Sequence, residues 1–212
     1  MDISNQINTF SRIAQVSRET ITSLKKYEEL LIDGNKSLNL VGNSTIKDIW
    51  IRHFLDSFQV IDFIDKNDKT LIDIGSGAGF PGLILALAAK DRKIPLVIKL
   101  VEKSSKKVKF LERVIKELKL KVIVLNINIF ETHEIFSEDV YVARAFKPLE
   151  IIFELMHSKD HNWKKFFVFL GKTGVSELLR ASKTWDIKYK QRVSVTSADS
   201  NIIEVNYLKK KN

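Results

Sequence analysis

The sequence of 212 residues contains no cysteine. That absence excludes disulfide bonds, thiolate metal sites and a cysteine nucleophile, and it fits a reducing compartment. No apolar run approaches the ~18 residues that a membrane-spanning helix requires. The first residues also lack the basic segment and following apolar segment of a secretory signal. We therefore expect a soluble, cytoplasmic protein that does not associate with membranes.

Acidic residues are the minority among the charged side chains. The chain has 26 aspartates and glutamates against 35 lysines and arginines, which gives a formal net charge of +9. An excess of this sign favours a polyanionic partner such as nucleic acid. The hydrophobic fraction of 44% and the length are typical of one folded domain with its own core.

Glycine is scarce, and half of its eight copies lie in one short window. These are Gly75, Gly77, Gly79 and Gly82. Glycine adopts positive φ angles at no steric cost and lets the backbone approach a neighbour closely. The clustering therefore predicts a sharply bent loop that serves a ligand, since a plain turn rarely needs four glycines.

The hydrophobic pattern changes near residue 68. Before it, apolar residues recur at helical spacing over 17–32, where Gly34 is the predicted helix end, and again after a predicted N-cap at Ser44. After it, short apolar runs alternate with helix-length segments. The predicted strands are 70–74, 96–101, 122–125, 140–143 and 166–170, followed by an antiparallel pair at 187–195 and 202–208.

Strands that alternate with helices predict right-handed crossovers and a parallel sheet. The expected fold is therefore α/β and Rossmann-like, with a mixed, mainly parallel sheet. We predict an N-terminal helical extension over residues 1–66, packed on a core over residues 67–212, with the two parts forming one compact unit.

The glycine loop matches two ligand-binding patterns. Residues 77–82 fit the G-x-G-x-x-G fingerprint of dinucleotide binding, which places a pyrophosphate at a helix N-terminus. The spacing Asp73-x-Gly75-x-Gly77-x-Gly79 instead fits the loop of S-adenosylmethionine-dependent methyltransferases. Asp73 favours the second pattern, because a carboxylate repels pyrophosphate and suits a cofactor that carries an ammonium and a sulfonium group. Glu102, at the end of the next strand, suits the ribose hydroxyls of either cofactor.

Further motifs extend over nearly the whole chain. They are Asn39-Leu40, Arg52-His53-Phe54-Leu55-Asp56-Ser57, Asp73 to Gly82 with its Phe80-Pro81-Gly82 end, Lys106 to Leu111, and Arg144-Ala145-Phe146. In this order they resemble the RsmG or GidB family of small-subunit ribosomal RNA guanine-N7 methyltransferases. The resemblance implies the class I S-adenosylmethionine-dependent methyltransferase fold and methylation of a guanine N7 in 16S ribosomal RNA.

The resemblance also implies which residues contact the cofactor. They are Gly75 and Phe80 in the loop, Ile129 and Phe130 along the adenine, and Arg144. Two positions depart from the family pattern. Phe130 stands where the family usually has an acidic residue, so adenine contact there must come from backbone or ring packing. The order Leu170-Gly171-Lys172 replaces the usual Lys-Gly near the fifth strand.

Methylation of guanine N7 needs few catalytic groups. The leaving group is a neutral thioether and N7 carries no proton, so neither an acid nor a base is required. Alignment of the reactants can supply about 7–11 kcal/mol. We expect Arg144 to be the catalytic residue, donating to guanine O6 or to a phosphate oxygen. The alternative is a solvated arginine at a strand end.

Candidate substrate-binding residues are Arg52, His53 and Lys172, beside Arg144. For Arg52 and His53 the alternative is local pairing with Asp56, which would fix the helix to the sheet. The expected partner is 16S ribosomal RNA or the small ribosomal subunit, with no metal and a monomeric chain. Two other functions stay open, an NAD(P)-dependent oxidoreductase and a basic RNA-binding module without catalysis.

Overall fold

A computed structural model describes residues 2–132, 136–158 and 163–211. Within them, seven strands form one sheet in the order β3-β2-β1-β4-β5-β7-β6. The strands are β1 (Thr70–Ile74), β2 (Val97–Val101), β3 (Val122–Leu125), β4 (Val140–Arg144), β5 (Lys165–Leu170), β6 (Trp185–Ser194) and β7 (Ser197–Lys210). The first five strands run parallel, and β7 is antiparallel to both β5 and β6. The predicted mixed, mainly parallel sheet is confirmed.

Helices cover both faces of the sheet, as expected for parallel strands joined by crossovers. They are α1 (Ile3–Ala14), α2 (Arg18–Leu38), α3 (Asn43–Ile46), α4 (Asp56–Phe58), α5 (Gly82–Asp91), α6 (Ser105–Glu117), α7 (Leu149–Ser158) and α8 (Gly174–Thr184). One apolar cluster joins α1, α2, α5 and α6 to the sheet, and a second joins α7 and α8 to the other face. Among the described residues, no helix is long and apolar enough to cross a bilayer.

Helix α2 continues past Gly34, so the predicted helix end there is wrong. The helix ends at Leu38, and Asn39 follows in the left-handed conformation with φ 46°. A Cβ on Gly34 would lie 3.0 Å from the Phe110 ring on α6 and 3.0 Å from Leu40. The glycine therefore allows close packing of α2 against α6, and Asn39 takes the terminating role.

The second predicted N-terminal helix is broken into short pieces. Ser44 lies inside α3, whose N-cap is Gly42, so the predicted cap is wrong by two residues. A π-helical turn over Trp50–Leu55 then leads into α4 and a 3₁₀ turn over Gln59–Phe63. A π-helical turn is wider than an α-helical one, and such turns are frequent at functional sites. The irregular segment buries His53 and Asp56 together.

The predicted N-terminal extension shares its core with the sheet. Phe10 and Trp50 lie in the same buried cluster as Leu71 of β1 and Phe167 of β5. Tyr27 of α2 contacts the glycine loop directly, because its hydroxyl donates to the Ala78 carbonyl at 2.6 Å. The extension thus supports the loop directly, and a division of the chain at residues 66 and 67 stays a prediction.

We predict that Tyr27→Phe lowers the free energy of unfolding by about 1–3 kcal/mol, because the buried Ala78 carbonyl loses its donor. The ring and its stacking on Phe54 and Phe80 are kept in this variant. Urea unfolding of both proteins measures the change. Tyr189→Phe is the matched control, since that ring is 42% exposed. Equal stability of the two variants would contradict the assigned role.

Candidate active site at the carboxyl ends of the parallel strands

A cavity of about 690 Å³ opens where β1, β2 and β4 end. This volume falls in the usual range for small-molecule sites. Five parts of the chain form its wall: the N-terminal segment from Leu40 to His53, the glycine loop, the end of β2, the segment after β3 and the segment after β4. Of the predicted site residues, the wall contains Gly75, Gly77, Phe80, Glu102, Ile129, Phe130, Arg144 and His53.

The loop is bent sharply by glycines with positive φ. Gly75 has φ +74°, and a Cβ there would lie 2.1 Å from the Phe146 ring. Gly79 has φ +100°, and its Cβ would meet Leu83 at 2.5 Å and the Tyr27 hydroxyl at 2.6 Å. Both positions therefore require glycine for close packing as well as for conformation.

Backbone N–H groups of the loop donate to the protein itself. Six of them are engaged in this way: Gly75 and Ser76 to the Val101 carbonyl, Gly77 to Glu102 Oε2, Gly79 and Phe80 to the Ser76 carbonyl, and Gly82 to Asp73 Oδ2. A phosphate-binding loop presents such groups to its ligand. The loop therefore does not form a pyrophosphate cradle, which disfavours the dinucleotide interpretation.

Asp73 lies beneath the loop and outside the cavity wall. The side chain is fully buried, and Oδ2 accepts from the Gly82 N–H at 2.9 Å. Within the described residues, Oδ1 has no hydrogen-bond partner. Burial raises the pKa of this carboxyl to about 7. The structure thus gives Asp73 a role in shaping the loop, and its placement does not support the predicted direct contact with a cofactor.

Glu102 holds two backbone segments at the edge of the cavity. Oε2 accepts from the Gly77 N–H at 3.0 Å, and Oε1 accepts from the Ser104 N–H at 2.8 Å. Each carboxylate oxygen can accept a further hydrogen bond. The residue thus retains acceptors for hydroxyl donors such as those of a ribose, so its placement fits the predicted role.

Apolar side chains form another part of the cavity wall. Ile129 is buried, while Phe130 is 43% exposed and stacks on Phe146 with 5.7 Å between ring centroids. Phe146 follows Ala145, whose φ of 49° turns the chain sharply after Arg144. Flat apolar surfaces of this kind fit a purine ring. With the Glu102 acceptors, this wall makes the cavity fit the adenosine part of S-adenosylmethionine.

Arg144 ends β4 at the cavity wall with its guanidinium held on three sides. Nε donates to Asp56 Oδ2 at 3.1 Å, Nη1 contacts His53 Nδ1 at 3.0 Å, and Nη2 donates to the Arg52 carbonyl at 2.6 Å. Its side chain is 17% exposed. The alternative of local pairing between Asp56 and Arg52 or His53 does not describe this carboxylate, which pairs with Arg144 instead.

His53 is buried between the loop and the irregular N-terminal segment. Its ring stacks on Phe80 with centroids 5.0 Å apart, and Nε2 lies 2.8 Å from Thr45 Oγ1. Burial, with the positive charge of Arg144, lowers the pKa of the imidazole to about 3. The ring is therefore neutral at physiological pH.

Two predicted substrate residues lie away from the cavity. The Arg52 side chain is exposed, and only its backbone carbonyl joins the site. Lys172 is 84% exposed and pairs with Asp199 at 3.7 Å. Sequence reasoning missed Thr45, Phe146 and Asp56 as members of the site, although the last two belong to motifs that it had singled out.

The fold and the site together define an S-adenosylmethionine-dependent methyltransferase with a Rossmann-like sheet. Two solved structures have the same fold. The 16S rRNA methylase RmtB has a TM-score of 0.52 at 15% identity over 92% of this chain and 76% of its own. TrmK of M. capricolum, solved with S-adenosyl-homocysteine, has a TM-score of 0.52 at 18% identity over 71% and 66%.

A family model described as GidB, rRNA small subunit methyltransferase G, matches residues 20–206, and the chain belongs to this family. The Ribosomal RNA small subunit methyltransferase G of Pelagibacter ubique is 38% identical over 199 residues, which cover 93% of each chain. The predicted family, fold class and cofactor are confirmed, so S-adenosylmethionine is the methyl donor. The oxidoreductase and the inactive RNA-binding module are not favoured.

We predict that Asp73 makes wild-type stability fall as the pH rises. Its pKa is raised from 3.8 to about 7 on folding. The folded state therefore binds the proton more tightly, and unfolding free energy is lost between about pH 4 and 7. Asp73→Asn removes this titration, so the stability of the variant relative to wild type should be more favourable at pH 8 than at pH 5.

Urea unfolding across this pH range measures the difference between the two proteins. Asp186→Asn, at an exposed position of β6, is the control and should follow the wild-type profile. Parallel profiles for wild type and Asp73→Asn would show that the buried carboxyl does not titrate in this range.

Proposed function

We propose that this chain transfers a methyl group to N7 of a guanine in 16S ribosomal RNA, either free or within the small ribosomal subunit. Family membership supports a ribosomal RNA substrate. The observation that carries the proposal is the position of Arg144, whose guanidinium lies at the wall of the cofactor cavity. A fixed cation with donors facing the cavity suits a base that carries acceptors on its major-groove edge.

The chemistry requires alignment rather than proton transfer. S-adenosylmethionine supplies an electrophilic methyl group on a sulfonium and leaves as a neutral thioether. Guanine N7 has a lone pair and no proton, so no base must act on it. Two titratable residues of the wall agree with this requirement, because their polar atoms are engaged within the protein. Both nitrogens of His53 and both carboxylate oxygens of Glu102 make hydrogen bonds to other residues of the chain.

Arg144 is the residue proposed to orient the guanine. A guanidinium has five N–H groups, and three of them are engaged by Asp56, His53 and the Arg52 carbonyl. The two that are left belong to Nη1 and Nη2. One of them donating to guanine O6 would fix the base edge while N7 stays free for the methyl group. The Asp56 carboxylate offsets the positive charge of Arg144 beside a base that becomes cationic.

The other site residues are proposed to hold the cofactor. Glu102 would accept from the ribose hydroxyls, and Ile129 and Phe130 would pack along the adenine. Gly75, Gly77 and Phe80 would contact the cofactor from the loop, while Asp73 and Gly79 act on the shape of that loop. We assign no substrate contact to Lys172 or to the Arg52 side chain, since both are exposed and neither residue lines the cavity.

Lysines at the mouth of the cavity are proposed to contact the RNA backbone. Lys103, Lys107 and Lys147 belong to the cavity wall, and the chain carries a net charge of +9. Binding through phosphates releases counterions, so affinity for RNA should fall steeply with salt. The enzyme proposed here is also cytoplasmic and monomeric. It uses no metal, because a thioether leaves without Lewis-acid assistance.

The test of this function uses the purified chain, isotopically labelled S-adenosylmethionine and two RNA substrates, free 16S transcript and small subunits. Mass analysis of the digested nucleosides should find N7-methylguanosine in at least one of them. A transcript made with 7-deazaguanosine should accept no methyl group. Methylation of that transcript, or label on another atom, would contradict the proposed reaction.

We predict that Arg144→Lys lowers kcat by about tenfold to a hundredfold, because lysine keeps the charge and loses the planar fork that orients the base. The unfolding free energy should change little, since the Asp56 carboxylate keeps a cationic partner. Arg144→Ala should lose activity and stability together, because Asp56 is left without one. Methylation rates and urea unfolding separate the two effects.

Arg92→Lys is the matched control for this substitution. Arg92 also pairs with an aspartate, Asp62, and also lies over an aromatic ring, that of Phe58. It lies outside the cavity wall, so its replacement should leave kcat unchanged. An equal loss of kcat in both variants would remove Arg144 from the reaction.

A further inference from the structure

We propose that His53 and Thr45 are positioning residues for Arg144, and that they act through a hydrogen-bond chain with one allowed proton arrangement. The inference rests on the proposed function, because it assigns a means of fixing the arginine that orients the guanine. It adds Thr45 to the site and gives His53 a role other than the substrate contact expected from the sequence.

The chain runs from the end of β4 to the N-cap of α3. Arg144 Nη1 lies 3.0 Å from His53 Nδ1, and His53 Nε2 lies 2.8 Å from Thr45 Oγ1. Thr45 Oγ1 in turn donates to the Gly42 carbonyl at 2.7 Å. Four residues from two distant parts of the sequence are thus joined by three consecutive hydrogen bonds.

The two ends of the chain determine the proton positions between them. A guanidinium can only donate, so Nδ1 of His53 must accept and carry no proton. A carbonyl can only accept, so the Thr45 hydroxyl must direct its proton to Gly42. Thr45 Oγ1 therefore accepts from His53 Nε2, which carries the proton of the neutral ring. The reversed tautomer would place an N–H against an N–H.

The surroundings of His53 oppose any other arrangement. The ring is 7% exposed and stacked on Phe80, so it has no room to turn outward. The charged groups that face it are the Arg144 guanidinium and, more distantly, Arg52, both positive. The one carboxylate of the cluster, that of Asp56, pairs with Arg144 on its Nε side. Protonation of the ring is thus opposed by its own hydrogen-bond partner.

His53 is one of three acceptors that fix the guanidinium plane, beside Asp56 and the Arg52 carbonyl. Asp56 takes Nε–H and His53 takes one proton of Nη1. A planar group held at these places cannot rotate about its last bond, so its remaining donors keep one direction at the cavity wall that Arg144 lines. Loss of the His53 acceptor would leave Nη1 without a protein acceptor, with Arg144 held by Asp56 at Nε and by the Arg52 carbonyl at Nη2.

The first experiment reads the tautomer of His53 without any reaction. Nitrogen-15 chemical shifts of the four histidine rings are recorded on the full chain, and the His53 signals are assigned by their loss in His53→Asn. We expect a neutral ring at pH 7 with the proton on Nε2, and the same state at pH 5.5, where an ordinary histidine is largely protonated. A proton on Nδ1, or a cationic ring at pH 7, overturns the proposal.

The second experiment measures kcat and KM for RNA in Thr45 variants. Thr45→Val keeps the size of the side chain and removes the acceptor of the Nε2 proton, so kcat should fall about tenfold or more while KM changes less. Thr45→Ser keeps the hydroxyl and should restore most of the loss. Thr22→Val is the matched control, because Thr22 also donates to a carbonyl of its own helix, that of Arg18, at an exposed site.

His53 variants test the acceptor itself. His53→Asn places an amide oxygen near the position of Nδ1 and should keep more of kcat than His53→Leu, which offers no acceptor. Equal kcat values for Thr45→Val and Thr22→Val, or for the two His53 variants, overturn the proposal. An inactive wild type would instead count against the proposed function, and the tautomer measurement would still decide this inference.

Discussion

One carboxylate, that of Asp56, joins three parts of the chain around Arg144. Its Oδ2 accepts from Arg144 at the end of β4, and its Oδ1 accepts from Ser194 and Thr196 at 2.8 and 3.2 Å, where β6 turns into β7. The side chain is 12% exposed. A buried carboxylate is costly unless it is paired and hydrogen-bonded, so these partners stabilise one another. The position of the guanidinium thus depends on segments about 140 residues apart.

The backbone N–H groups of the glycine loop are bonded within the protein, so they are not available to a cofactor. Its N–H groups donate to Val101, Ser76 and two carboxylates, Asp73 and Glu102. A loop with free N–H groups attracts anions, whereas this one has carboxylates at the same place. The electrostatic preference is reversed while the strand–loop–helix geometry is kept, and a cationic methyl donor is favoured over a pyrophosphate.

Much of the fold could be predicted from the sequence because its signals are local. Short apolar runs gave the strands to within one or two residues over β1 to β5, and the clustered glycines located the loop. Gly34 misled because a helix interior can also need a glycine where another helix packs closely. That need arises from Phe110, which is distant in sequence, and no local pattern records it.

The site could be predicted only in part for the same reason. Residues that follow a predicted strand, such as Glu102 and Phe130, lie on the cavity wall as expected. The partners of Arg144 could not be foreseen, since His53 is separated from it by 91 positions and Asp56 by 88. Asp73 was recognised as important, yet whether a carboxyl faces a cavity or supports the loop beneath it depends on packing.

The placement of β7 between β5 and β6 has a consequence for how the enzyme matures. Strands β1 to β5 and the N-terminal helices leave the ribosome first, with the free edge of β5 uncovered. Pairing along that edge requires residues 201–205, and the hydroxyls that hold Asp56 come from the same hairpin. A partly synthesised chain therefore has its glycine loop before it has a supported arginine. Competence arrives with the closing hairpin, after the glycine loop and β4 have been synthesised.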